Sequence, residues 1–142
     1  MTDKLKKLEF TLASDINNLK KIEQFVKQIA RELHLKADEK DNLAIVLTEA
    51  AGNAIVHGNQ SDPEKIVFIE AEIQPDLIVV TVTDEGTGFD PEALDDPLDP
   101  ANLMKESGRG IFIMRTLAES IDYTFTDSGT ILKITMQRRD SA

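Results

Sequence analysis

No cysteine occurs anywhere in the 142 residues. Disulfides and thiolate metal sites are therefore excluded, a pattern compatible with a reducing cytoplasm. Histidine is nearly as scarce, with two in the chain, His34 and His57. No His-Glu-x-x-His pattern joins them, so zinc hydrolysis is not expected. Cations are outnumbered: 16 Lys and Arg face 26 Asp and Glu, a formal net charge of −10. A nucleic-acid partner is not expected, because phosphate neutralisation needs clustered cations. Acidity does not exclude a small phosphate ligand, which backbone N–H groups and a metal ion can hold locally. The carboxylate excess otherwise reads as solubility, or as a surface for a basic protein. No apolar run is long enough to span a bilayer, and no secretory signal is recognisable after the early lysines Lys4, Lys6 and Lys7. No internal repeat or linker divides the chain, so one domain over 1–142 is expected, in the cytoplasm.

What is present is a clear periodicity. Leu8 to Leu12 alternates apolar and polar residues and reads as a half-buried strand. Ser14 or Asp15 caps a helix whose apolar stripe runs Ile16, Leu19, Ile22, Phe25, Val26, Ile29, Ala30, Leu33. A second helix, from Asp38 or Asp41 to Val56, is apolar nearly all round and is expected to be buried on most sides. Gly58 to Pro63 breaks the chain. Two strands over 65–73 and 77–83 are joined by Gln74-Pro75-Asp76. Pro91, Pro97 and Pro100 mark 91–107 as a long irregular loop. A third helix over 109–119 turns Ile111, Phe112, Met114 and Leu117 inward. Strands over 121–126 and 130–137 then form a hairpin about Asp127-Ser128-Gly129. The order β-α-α-β-β-loop-α-β-β predicts an α+β two-layer sandwich, with one mixed, mainly antiparallel sheet and helices on one face.

Three short segments carry candidate chemistry. Glu49 and Asn53 lie one helical turn apart and share a face, with His57 on or near it. Burying Glu and Asn on an apolar helix is costly without partners. Asn53 offers a neutral oxygen suited to Mg²⁺ beside phosphates, and Glu49 offers a proton acceptor; hydrogen bonds to neighbouring backbone would satisfy both equally well. Asp84 ends a strand, where a carboxylate can accept from an exocyclic amine; Gly86 and Gly88, before Phe89, allow close ligand approach. The same segment would also serve as an ordinary Asp-Gly turn. Gly108-Arg109-Gly110, followed by Ile111, precedes an amphipathic helix, where bare N–H groups and the helix dipole favour an anion. Arg109 either touches phosphate, faces a partner or is solvated. Together the three read as an ATP pocket. Other nucleotide motifs fail: Pro91 stands where a dinucleotide fingerprint needs its third glycine, and no Gly-Lys-Ser/Thr occurs. The acidic run 90–96 lacks the glycine and ligand spacing of a calcium loop.

The segments resemble the motifs of the GHKL ATPase superfamily, whose pocket is the Bergerat fold, and within it the bacterial anti-sigma factor serine/threonine-protein kinases. Leu47 to Gly58 is similar to the N box, Asp84 to Phe89 to the G1 box, and Ser107 to Gly110 to the G2 box. The resemblance implies Glu49 as general base, Asn53 as Mg²⁺ ligand and Asp84 as adenine reader assisted by Thr130. It implies Gly86 and Gly88 at the adenine end, Gly108 and Gly110 at the phosphates, and 91–107 as an ATP lid. It also implies ATP and Mg²⁺ as ligands, a sigma factor and a serine-bearing antagonist protein as partners, and a possible homodimer. The activity implied is phosphorylation of that serine alongside sequestration of the sigma factor. The alternative is an ATP-gated protein-binding module without phosphotransfer.

Overall fold

The computed structural model describes residues 6–86 and 106–138. Strand β1 (Lys6–Ala13) leads through a 3-10 turn (Ile16–Leu19) into helix α1 (Lys20–Leu33). Asp15 caps that turn by accepting from the Asn17 N–H at 2.9 Å. Helix α2 (Ala37–Asn53) continues directly into a π-helical turn (Ala54–Gly58). Strands β2 (Ile66–Ile73) and β3 (Leu77–Thr83), helix α3 (Glu106–Leu117), and strands β4 (Ser120–Thr126) and β5 (Gly129–Gln137) follow.

The five strands form one sheet in the order β1-β2-β3-β5-β4. It is more regular than a mainly antiparallel sheet, since all four pairings are antiparallel. The β4–β5 hairpin explains this. It inserts β5, not β4, beside β3, and β4 would have run parallel there. Alternation makes one continuous apolar face: Phe10 pairs Ile69, Ile69 pairs Val82, Val82 pairs Leu132, and Leu132 pairs Tyr123. A one-residue slip would turn this whole row away from the helices, so the register is strongly specified. The helices cover that face with Ile22, Ile29, Leu43, Leu47 and Met114, all buried. Phe10 stacks on Phe25 of α1 with ring centroids 4.7 Å apart.

Two residues expected on inward stripes, Ile16 and Phe112, are exposed, Ile16 at 50%. Helix α2 with its π-helical continuation is buried on most sides, as expected, and Ile45 and Val56 are exposed on the remaining one. The sheet, α1 and α3 cover three sides of α2, and the remaining side opens beside the 3-10 turn. In α3, Met114 is buried but Phe112 is exposed; a helix lying on one edge of the layer buries a narrow stripe. At the opposite end of the domain, the Arg138 guanidinium grips Glu39 at 3.0 Å and donates to the Gln74 carbonyl at 3.0 Å. Burial pushes the Glu39 carboxyl up. The hydrogen bond from Arg138, that from the Lys36 amide, and the charges of both residues outweigh it and hold the group below the usual carboxylate range.

Candidate functional site

The site lies where α2 crosses the end of the sheet at which β3 stops and β5 begins. Ala50, Ala51 and Ala54 are buried, and their small size brings α2 close onto the strands. The same helix carries Glu49 and Asn53 on its open side. Both line a cleft of about 640 Å³ together with Ile16, Leu19, Thr48, Gly52, Val56 and His57. Neither side chain has a hydrogen-bond or ion-pair partner among the described residues. The backbone bonds that would have made them structural are therefore absent from that set. His57 is exposed and faces the cleft.

Asn53 also borders a second, smaller chamber. This chamber has about 10 Å³ of free space and is walled by Ala50, Ala54, Val82, Asp84, Tyr123, Thr130 and Leu132. That volume suits one water or the edge of a ligand, not a purine ring. Asp84 is 4% exposed. Its Oδ1 accepts from the Gly86 N–H at 3.0 Å and the Thr130 N–H at 3.1 Å. The Asp84 N–H donates in turn to the Thr130 carbonyl at 3.0 Å. Burial pushes the Asp84 carboxyl up, and it outweighs the stabilising effects of those two amides and of the Lys65 charge. Oδ2 has no donor among the described residues. Thr130 Oγ1 is buried and also lacks a partner among them. Asp84 and Thr130 thus both line one small chamber, with the Thr130 hydroxyl unpartnered among the described residues and Asp84 Oδ2 against Gly58.

Close backbone approaches build this corner. A Cβ on Gly86 would fall on the Gly58 carbonyl, and one on Gly58 would fall on the Asp84 carboxylate. Gly129 has φ of 153°, and its Cβ would collide with the Asp84 carbonyl. Gly129→Ala is expected to destabilise the fold by about 2–3 kcal/mol, measured as a lowered urea midpoint with an unchanged slope.

Of the other expected site residues, Gly88 and Phe89 lie outside the described residues, as does the lid up to residue 105. Gly108, Arg109, Gly110 and Ile111 are on α3, which begins at Glu106 and not at Arg109. The glycines therefore lie within the helix and not ahead of it. Gly108 is in the first turn, where the dipole still favours an anion. Sequence reasoning missed the π-helical turn and the buried Asn59 that follows it. Asn59 falls in the segment Gly58 to Pro63 expected only to break the chain, and no local pattern in the sequence marks its side chain as buried.

The donor set fits the ligands under consideration. An Asn53 oxygen without a protein partner, at the boundary between both cavities, suits a hard cation that keeps waters and phosphate oxygens. No cluster of three His, Cys, Asp or Glu able to cage a metal occurs among the described residues. Nor does any described helix have the length and apolarity to cross a membrane.

Residues 12–136 match the family model described as Histidine kinase-like ATPase domain. Among curated proteins, the anti-sigma F factor of Clostridium perfringens is 32% identical over 142 residues, covering 96% of this chain and 97% of that protein. The anti-sigma F factor of Oceanobacillus iheyensis is 31% identical over 105 residues, covering 70% of each. Among solved structures, one of the RsbU and RsbW domains of a Mycobacterium tuberculosis protein superposes with a TM-score of 0.64 at 16% identity, covering 94% of this chain and 32% of that one. The histidine kinase domain of a blue-light activated histidine kinase from Erythrobacter litoralis gives a TM-score of 0.56 at 17% identity, covering 81% of this chain and 60% of that one. These structural likenesses bear on the fold alone. With a family model spanning most of the sequence and a relative aligned nearly end to end, this chain belongs to the GHKL superfamily of histidine kinase-like ATPases, in its anti-sigma factor kinase family.

Proposed function

We propose that this protein is an anti-sigma regulatory factor that binds ATP with Mg²⁺ and phosphorylates a serine of an antagonist protein. The observation that carries the reading is the placement of Glu49 and Asn53. They stand on one face of α2, in one cleft, without a described protein partner, and Asn53 reaches the chamber of Asp84 and Thr130. The adenine amino group would donate to Asp84 Oδ2 at the mouth of that chamber, with the ring itself in the larger cleft. The triphosphate would extend along α2 toward the first turn of α3. Asn53 would hold Mg²⁺, which supplies charge neutralisation on the β- and γ-phosphates. Glu49 would accept the proton of the incoming serine hydroxyl. The serine oxygen forms its bond to the γ-phosphorus while the bond from that phosphorus to the β–γ bridging oxygen breaks, and ADP departs. Positioning does most of the catalysis in such transfers. The anti-sigma role, with a sigma factor as second partner, draws its support from the names of the relatives.

The test is label transfer. The protein is retained on a support with the native cell's proteins and given γ-labelled ATP. The expected result is label on a serine of a retained small protein. ATP binding confirmed by calorimetry without any such label would remove the phosphotransfer step and leave ATP-gated binding as the function.

A further inference from the structure

We infer that Asn59 is the positioning residue for base selection: its side-chain amide holds the Asp84–Gly86 turn in the one placement from which Asp84 can read a purine. The inference rests on the nucleotide reading above and adds a residue outside the three motif segments' expected roles.

Asn59 is 0% exposed. It follows the π-helical turn, where its own N–H donates to the Ala54 carbonyl at 2.8 Å, five residues back. That wider turn swings the side chain inward between three separate pieces of chain. Nδ2 donates to Ser14 Oγ at 2.7 Å, in the link between β1 and α1, and to the Ile66 carbonyl at 3.0 Å, at the start of β2. Oδ1 accepts from the Glu85 N–H at 2.8 Å, in the turn after β3. The amide has one possible orientation. Ser14 Oγ gives its proton to the Lys65 carbonyl at 2.8 Å, so toward Asn59 it can only accept. Two oxygens therefore face one end of the amide and an N–H faces the other. No carboxylate, hydroxyl or aliphatic side chain of this size satisfies all three.

Glu85 closes the ring. Its Oε1 accepts from the Ile66 N–H at 2.8 Å, so β2 and the turn are clasped twice. On one side of Glu85 is Asp84, on the other Gly86, whose N–H holds Asp84 Oδ1. Gly58, the residue before Asn59, lies against both Asp84 and Gly86. The carboxylate that meets the base is thus fixed by Thr130 from the sheet and by the Asn59 ring from the helix end. Releasing the Glu85 amide frees the turn on the helix side and blurs the acceptor's direction. ATP and GTP differ at that place, an amine against a carbonyl, so loss of direction reduces discrimination and not merely affinity.

The experiment measures ATP and GTP affinities by competition against a fluorescent adenine nucleotide, with Mg²⁺ present. It compares wild type, Asn59→Ala, Glu85→Ala and a remote core variant, Ile29→Ala. The ATP-over-GTP preference is expected to fall about tenfold in Asn59→Ala and about threefold in Glu85→Ala. It should stay at the wild-type value in Ile29→Ala, whose melting temperature is lowered by a cavity alone. An Asn59→Ala protein that keeps the wild-type preference overturns the inference. Should that variant fail to fold, an unchanged preference in Glu85→Ala, where the altered residue is exposed, overturns it equally. A wild-type protein that binds neither nucleotide would instead sink the nucleotide reading itself.

Discussion

Asp84→Asn is expected to lower ATP affinity by about 100-fold while leaving the apo protein at least as stable as wild type at pH 7. Oδ1 is pinned by two backbone N–H groups, from Gly86 and Thr130. In the variant the carboxamide oxygen must take that place, so its NH₂ group replaces Oδ2 and confronts the adenine amine donor to donor. A guanine carbonyl at the same place would find a donor, so relative preference should swing toward GTP. The stability half follows from linkage. Burial raises the Asp84 carboxyl above its usual value in the folded state. Its folded form therefore binds protons more tightly than the unfolded chain. The contribution of this one group to stability is fully present below its ordinary value of 3.8 and is lost as pH rises through the higher folded value. At neutral pH the ionised group opposes folding, and asparagine removes that opposition. Competition binding and thermal melts in the absence of nucleotide check both halves. A variant that binds ATP normally would separate Asp84 from the base. One that melts well below wild type would show that the carboxylate is needed for the fold.

The opposition of stability and binding at Asp84 marks the kind of residue a sequence reveals. A carboxylate ending a Val-rich strand, followed by Gly86, violates the local pattern, and such violations concentrate at functional sites. Strand positions were legible to within two residues because alternation is enforced by the row from Phe10 to Tyr123, whose middle members Ile69, Val82 and Leu132 are buried. Helix α2 was legible as an element and as mostly buried, but not in where it stays open. Periodicity reports which residues are apolar, and cannot report that the fourth side of α2 stays open at Ile45 and Val56. The strand order also lay beyond local pattern, since the insertion of β5 between β3 and β4 is a choice of pairing partners across the sheet. Ser14 shows the same limit: it was a candidate cap, yet Asp15 caps the turn while Ser14 is buried against Asn59 and Lys65. Its partners are 45 and 51 residues away, respectively, a distance no window along the chain spans.

Glu49→Gln is expected to reduce phosphotransfer by about 10²- to 10⁴-fold while changing the ATP dissociation constant by no more than about twofold. Glutamine keeps the length and shape of the side chain and one carbonyl acceptor, but it does not take up a proton at neutral pH. Glu49 lines the cleft, half-exposed and without a partner among the described residues, so the substitution breaks no internal bond among them. The melting temperature should accordingly hold. Asn53→Ala gives the contrasting pattern. It removes an oxygen at the border of both cavities, so the Mg²⁺-dependent part of ATP affinity should disappear. A single-turnover transfer assay at saturating ATP separates the two cases: Glu49→Gln would bind and not transfer, whereas Asn53→Ala would fail at binding. Full transfer by Glu49→Gln would mean that positioning alone carries the reaction and that α2 contributes no base. Equal loss of binding in both variants would mean that Glu49 helps hold the nucleotide, and the proton would then need another acceptor. His57, exposed on the same cleft wall one helical turn beyond Asn53, is the residue to replace next in either event.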